Sequence, residues 1–372
     1  MRPFRIATPL AAALMLALAA CGGGAAAPSS PAASSPAPAA SKPATSPAAS
    51  AAASAKPAAS ASAKPAASGA ASAKPAASGA ASASAKPAAS GAAATSGGAK
   101  PTVNIGSTNF PEQLVLGELY AQVLESNGYK VNRMFNLGSR EIVEPALESG
   151  KIDMDGEYLA TLLSFVDKNA KPTSDPAETS KLLQTALTPK NLTVLNYAPA
   201  VDTNGFVVTK ATADQYKLQK LSDLAPVAGQ MVLGGAPECP QRPFCLPGLQ
   251  QIYGLKFKDF KPLDTGGPIT VQAVESGQVQ VGELFTTDAN IATHNFVLLD
   301  DDKHLQQADN IAPVVRNDLL AKVGPDFKTS IDAIAPKLTT QQMTDLNKQV
   351  GVDKKDPKDV AAAWLKSNNL VK

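Results

Sequence analysis

The chain has 372 residues, 34 of them basic and 32 acidic, and its small overall positive charge conceals an asymmetry. The first 100 residues hold eight of the basic side chains and no Asp or Glu, so residues 101–372 carry 26 basic against 32 acidic, a net −6. A mildly acidic globular part argues against nucleic-acid binding, and its roughly 270 residues suffice for two domains with cores of their own.

Arg2 and Arg5 precede an apolar run from Leu10 to Ala20, which ends in Leu18-Ala19-Ala20-Cys21-Gly22. A charged start, a short apolar segment and small residues before a cleavage point read as a secretory signal over 1–20, too short to span a bilayer. Cysteine directly after Leu-Ala-Ala resembles the bacterial lipobox, which implies cleavage before Cys21 and lipidation of its sulfur. The expectation is a chain exported to the extracytoplasmic face of the cell membrane and anchored there by lipid. From Gly22 to Lys100 the sequence is almost entirely Ala, Ser, Pro, Gly and Lys, with SAKPAAS recurring at Ser54, Ser62, Ser72 and Ser84. Such a segment has almost nothing to bury and is expected to be a disordered tether over 21–100.

The folded part opens with a strand-type run at Val103–Ser107, and Pro111 and Glu112 mark the start of a helix. Leu116, Leu119, Tyr120, Val123 and Leu124 keep helical spacing before Gly128, and Lys130–Phe135 returns as a strand. This β-α-β beginning calls for a parallel sheet with crossover helices. Ser139 is a candidate N-cap for a helix ending at Gly150, in which Pro145 is expected to produce a kink or a late start. A strand at Ile152–Met154 and a helix from Glu157 to Val166 follow in this reading. ALESGKIDM at Ala146–Met154 is echoed by AVESGQVQV at Ala273–Val281, each followed by polar and aromatic residues. Two similar units, each delivering such a tip, suggest two lobes facing one cleft.

A helix over Pro176–Leu187 and a strand over Leu192–Tyr197 lead to the polar loop Asp202-Thr203-Asn204, a suitable place for the chain to change lobe. Strands near Met231, Val279 and Val297 belong to the second lobe. The chain returns near Asn310–Val315 and finishes with helices around Leu319, Thr340–Val350 and Pro357–Leu365. The resulting division is 101–207 and 310–372 for lobe 1, discontinuous, and 208–309 for an inserted lobe 2, with a two-stranded hinge. In open parallel sheets ligands sit beyond the carboxyl ends of strands, which places Asn109, Ser139 and Tyr158 on one rim.

The ordered segments IGSTNFPEQLVLGELYAQVLESNGYKV, NLGSREIVEPALESGKIDMDGEY, TNGFVVT, PLDTGGPITVQAVESGQVQVGELFTTDANI and LLDDDKHLQQADNIAPVVR resemble the substrate-binding proteins of osmoprotectant ABC transporters, the glycine betaine, choline and carnitine group. The resemblance implies an α/β, two-lobed periplasmic-binding-protein fold of type II that closes on a quaternary amine and hands it to a permease with an ATPase; the alternatives are a binder of another amine or amino-acid derivative, or a ligand sensor that hands nothing over. A trimethylammonium group has no N–H donors, so aromatic faces and negative potential must hold it, at roughly 0.5–2 kcal/mol per good contact. The family's aromatic and hydroxyl positions fall on Tyr158, Thr161, Phe206 and Phe285, and its carboxylate-binding arginine falls on Arg242. Asn204, Thr286 and Asp309 complete the expected ligand set with Asn109, Ser139 and Asp155. Family members usually carry tyrosine in place of Asp155 and near Asp309, and lysine or a similar polar residue at Thr108. Fewer aromatics, with acids at Asp155, Glu283 and Asp309, imply a cationic head held partly by carboxylates.

Cys239 and Cys245, six apart in a Pro-rich loop of an exported chain, are expected to form a disulfide. His294 and His304 are the only histidines and neither shows metal-ligand spacing. No serine elbow, phosphate loop, nucleotide fingerprint or His-paired nucleophile occurs, so neither catalysis nor a cofactor is expected. The expected binding protein is a monomer, although no motif fixes its oligomeric state.

Overall fold

The computed structural model describes residues 100–372. The expected leader, lipidated Cys21 and tether fall outside the described residues, apart from Lys100, which donates to the backbone of Asn127 at 2.7 Å and pairs with Asp326. No helix among the described residues is long and apolar enough to cross a membrane.

The first sheet contains β1 (Thr102–Gly106), β2 (Lys130–Met134), β3 (Met154–Tyr158) and β4 (Leu192–Val194). The helices between and after these strands are α1 (Pro111–Ser126), α2 (Arg140–Glu148), α3 (Leu159–Val166) and α4 (Pro176–Leu187). The second sheet contains β5 (Asn204–Thr209), β6 (Val232–Gly235), β7 (Asp259–Pro262), β8 (Val281–Phe285) and β9 (Phe296–Leu298). Its helices are α5 (Lys210–Tyr216), α6 (Leu246–Tyr253), α7 (Pro268–Glu275) and α8 (Asn290–Thr293). Strand β10 (Ile311–Arg316) then rejoins the first sheet, followed by α9 (Asn317–Leu320), α10 (Pro325–Asp332), α11 (Thr340–Asn347) and α12 (Pro357–Ser367). The strand orders are β2-β1-β3-β10-β4 and β7-β6-β8-β5-β9.

Strands β2, β1 and β3 run parallel, as the opening β-α-β pattern requires, but β10 lies antiparallel between β3 and β4, so the sheet is mixed. That pairing moves the predicted boundary after Ile152: Tyr158 through Met154 pair with Ile311 through Val315. Glu157 and Tyr158 are therefore the end of a strand and not the start of a helix, because ladder bonds outweigh the local preference of the segment. Covered on both faces, β3 is buried along its whole length. Helix α2 starts at Arg140, without the late start expected of Pro145, and continues through that proline to Glu148; Gly150 follows with a positive φ of 79°.

The internal echo is structural. In both units a helix ends before a Ser-Gly pair whose glycine is left-handed, Gly150 and Gly277, and a strand then runs four residues past the echoed segment. The strands end on Tyr158 and Phe285, at equivalent places in the two lobes.

Between the lobes the chain passes twice. Val201 bridges Asn310, and the Asp202 N–H donates to the Asp309 carbonyl at 3.1 Å, so the two passages are stitched side by side. Since β5 belongs wholly to the second sheet, the first passage lies at residues 201–203, ahead of the division expected after 207. Helices α10, α11 and α12 return to pack on α1, sharing one core with Leu116, Phe327, Met343 and Trp364.

Cys239 and Cys245 are bonded, closing a small loop that presents Arg242. In the loop-entropy picture so short a ring contributes roughly 2 kcal/mol.

Candidate functional site

Between the lobes lies a cleft of about 530 Å³, its open mouth included. Of the residues singled out from the sequence, it brings together Asn109, Ser139, Tyr158, Thr161, Asn204, Arg242, Phe285 and Asp309. Three others are placed elsewhere. Phe206 is 1% exposed and packs in the second-lobe core with Leu233, Val281 and Leu299, because alternation along β5 turns it inward with Val208. Thr286 accepts from the Thr203 N–H at 3.0 Å and donates to Asp202 at 3.2 Å, so it braces the passage between lobes. Asp155 lies behind the cleft wall, 1% exposed.

The aromatic side of the cleft has three rings. Phe110 stands between Tyr158, with centroids 6.4 Å apart and planes at 22°, and Phe285, at 4.9 Å and 33°. Phe110 occupies the N-cap of α1 in extended conformation, and Pro111 at the first helical position fixes its approach. Phe285 is backed by Gly266, whose φ of +61° suits glycine and where an added Cβ would come within 2.9 Å of the ring. Sequence reasoning missed Phe110; the signal lay in Asn109-Phe110-Pro111, where an aromatic precedes a helix start on the rim.

Tyr158 is held by its hydroxyl. It donates to Glu112 at 2.6 Å and accepts from the Gln113 side chain at 3.2 Å. The other oxygen of Glu112 accepts from Thr287 of the second lobe and from Asn347 at the end of α11, both at 2.7 Å. Glu112 thus ties the ring to both lobes. Burial raises its pKa against those donors, and burial with Glu112 alongside pushes the Tyr158 phenol well above its usual range.

On the polar side, Arg140 makes two bonds to Glu157, at 2.7 and 2.6 Å, and a third to Thr161 at 3.2 Å. Burial opposes its charge, but Glu157, with Asp309 and Glu144, more than offsets that and the guanidinium stays protonated. Arg242 reaches across the cleft mouth to Glu141 of α2 at 3.1 Å and meets Glu238 of its own loop at 3.2 Å. Its Nε meets no acceptor among the described residues. Asp309 accepts from the Thr161 N–H at 2.8 Å, and burial lifts its pKa to about 7. Glu283, counted among the site's acids from the sequence, is buried behind β6, accepts from the Ala236 N–H at 3.1 Å and is likewise lifted by burial to about 7. The lining thus holds Glu157, Asp202, Glu238 and Asp309 against Arg140 and Arg242, and both arginines already face carboxylates. Burial lifts Asp202 well above the usual carboxylate range, so it adds little charge near neutral pH, and the wall offers carboxyl oxygens beside three aromatic faces, suited to a cation that brings no hydrogen-bond donors.

Residues 101–367 match the family model described as the substrate-binding domain of an ABC-type glycine betaine transport system. A glycine-betaine-binding protein of Pseudomonas aeruginosa is 29% identical over 281 residues, covering 73% of this chain and 89% of that protein. An ergothioneine transport permease/ergothioneine binding protein of Helicobacter pylori is 26% identical over 272 residues, 73% of this chain and 48% of that longer protein. Among solved structures, one of a glycine betaine/carnitine/choline ABC transporter superimposes with a TM-score of 0.59 at 27% identity, covering 72% of this chain and 99% of the other.

Proposed function

The chain belongs to the family of substrate-binding domains of ABC-type glycine betaine transport systems, and from that premise we propose that it captures a small quaternary-amine osmoprotectant between its lobes and delivers it to a membrane permease with its ATPase. The observation that carries this reading is the pairing of three aromatic rings, Phe110, Tyr158 and Phe285, with a wall in which carboxylates outnumber arginines. The methylated head sits against the rings, each contributing roughly 0.5–2 kcal/mol. A carboxylate on the ligand, where there is one, is received by Arg242, whose Nε retains an N–H to offer. Closure on the ligand follows the stitched passages at residues 201–203 and 309–310.

The test is a calorimetric titration of the full chain with glycine betaine, choline, carnitine, proline betaine and ergothioneine. At least one is expected to bind one to one, and a folded sample that binds none overturns the ligand class. Affinity is expected to fall as pH drops from about 8 to about 6, since Asp309 takes up a proton near 7 and its charge leaves the wall. A pH-independent affinity would exclude Asp309 from the charge that holds the ligand.

Anchorage belongs to the same proposal. Leu18-Ala19-Ala20-Cys21 is the cleavage and lipidation signal, and the mature domain works as a monomer on the extracytoplasmic face. Cys21→Ser is expected to move the protein from the membrane fraction to the soluble one; retention in the membrane fraction would show that another segment anchors it.

A further inference from the structure

Behind the cleft wall, three carboxyl groups converge on the face of β3 that looks toward α2. Alternation along β3 sends Met154 and Tyr158 into the core with α1 and turns Asp155 and Glu157 the other way. Glu144, one helical turn after Arg140 on α2, meets them there. One oxygen from each of Glu144, Asp155 and Glu157 lies within 4.8 Å of the others. The three residues are 0%, 1% and 2% exposed.

Most of the other buried acids near the cleft have donors: Glu112 has three, and Asp202, Glu283 and Asp309 accept backbone N–H groups. Here the pattern breaks. Arg140 spends its bonds on Glu157 and Thr161, and all four oxygens of Glu144 and Asp155 lack a donor among the described residues. An ionised carboxylate buried without a donor costs several kcal/mol. The three carboxylates against the single charge of Arg140 leave two negative charges, the number that one divalent ion cancels.

We propose that Glu144, Asp155 and Glu157 form a site for a hard divalent cation behind the ligand cleft, with Glu157 joining that ion to Arg140 and Thr161 in the cleft wall. The geometry fits: ligand oxygens on opposite sides of an ion with bonds of about 2.3–2.6 Å lie about 4.6–5.2 Å apart, and neighbouring ones lie closer. An all-oxygen set favours calcium, magnesium or manganese over zinc or copper. A proton shared between Glu144 and Asp155 relieves only some of their oxygens, whereas a bridging cation reaches both groups.

Protons are nonetheless the competitor. Burial raises Glu144 to about 8 and Asp155 well above its usual range. Glu157 and Glu148 push Glu144 up further while Arg140 and Lys190 pull it down; Asp155 feels Glu144, Glu157 and Arg140, and across the sheet its charge raises the Tyr120 phenol on α1. Binding an ion therefore expels protons, and its affinity rises with pH.

The full chain, stripped with EDTA and moved to chelator-free buffer, is titrated with CaCl2, MgCl2 and MnCl2 by calorimetry and melted with each. One of the three is expected to bind one to one, to raise the melting midpoint, and to bind at least tenfold more tightly at about pH 8.5 than at about pH 6. The isosteric double variant Glu144→Gln/Asp155→Asn is expected to lose at least tenfold in ion affinity while melting, in EDTA, no lower than the parent. Asp155→Asn alone, which keeps Glu144, repeats the ion titration should the double variant fold poorly. Failure of all three ions to bind or to shift the melt, or equal binding by the substituted chain, overturns the site and leaves shared protons as the compensation.

Discussion

Arg140→Ala is expected to lower the stability of the full chain by about 3–5 kcal/mol, the range for removing one partner of a buried ion pair. Both members are enclosed, with side-chain exposures of 8% for Arg140 and 2% for Glu157, so solvent does not take over when the guanidinium goes. The loss is larger than one pair suggests, because Arg140 also lowers the carboxyl pKa values of Asp155, Glu144 and Asp309. Without it their carboxyl pKa values move further up. Each is an acid already raised in the folded state, so each contributes stability that is complete below the unfolded carboxylate range and is lost as pH rises toward the folded pKa. The variant should therefore be closest to the parent at about pH 5 and furthest from it at about pH 8. Urea unfolding at both pH values measures this. A loss under about 1 kcal/mol at pH 8 would mean that water reaches Glu157 and the pair is not buried in solution.

Arg140 also shows how far the sequence could be read. Its position one residue after a candidate N-cap marks it as the first residue of a helix, and nothing in the local pattern says that it turns inward. That follows from β10 entering the sheet beside β3, which extends β3 to Tyr158 and puts Glu157 opposite α2. Long-range pairing of this kind leaves no periodic trace in either segment. The helix over Pro176–Leu187 was legible to the residue because Asp175, Pro176 and Glu178 are local start signals, and Asp175 does cap two backbone N–H groups. The echo of Ala146–Met154 in Ala273–Val281 was legible too, and it pointed to a polar and aromatic tip in each lobe; that these tips are the strand ends Tyr158 and Phe285 came only with the sheet pairing. Phe206 was misplaced for a related reason. The strand begins at Asn204, one step from the hinge, and which alternate residues face the core depends on a partner strand, β8, nearly eighty residues away.

The exchange of Phe206 for Phe110 makes the remaining prediction specific. Tyr158→Ala is expected to weaken binding of the quaternary amine at least tenfold, and Phe110→Ala similarly, since each removes a face worth roughly 0.5–2 kcal/mol and lets the neighbouring ring tilt. Phe206→Leu, a change confined to the second-lobe core, should leave affinity within about twofold in the folded fraction while lowering stability by a kcal/mol or so. Tyr158→Phe separates two roles of the tyrosine. It keeps the ring but removes the donor to Glu112, leaving that buried carboxylate to Thr287 and Asn347. If the face holds the ligand, Tyr158→Phe retains most of the affinity and loses mainly stability, because an unmet buried acceptor costs about 1–3 kcal/mol. If it loses as much affinity as Tyr158→Ala, the ring matters chiefly through its tie to Glu112, and closure of the second lobe onto α1 governs binding. Calorimetry on the four variants, with the folded fraction fixed by their urea curves, separates these outcomes. Normal affinity in Phe110→Ala together with a tenfold loss in Phe206→Leu would put the head group on the other side of β5 and overturn the three-ring cage.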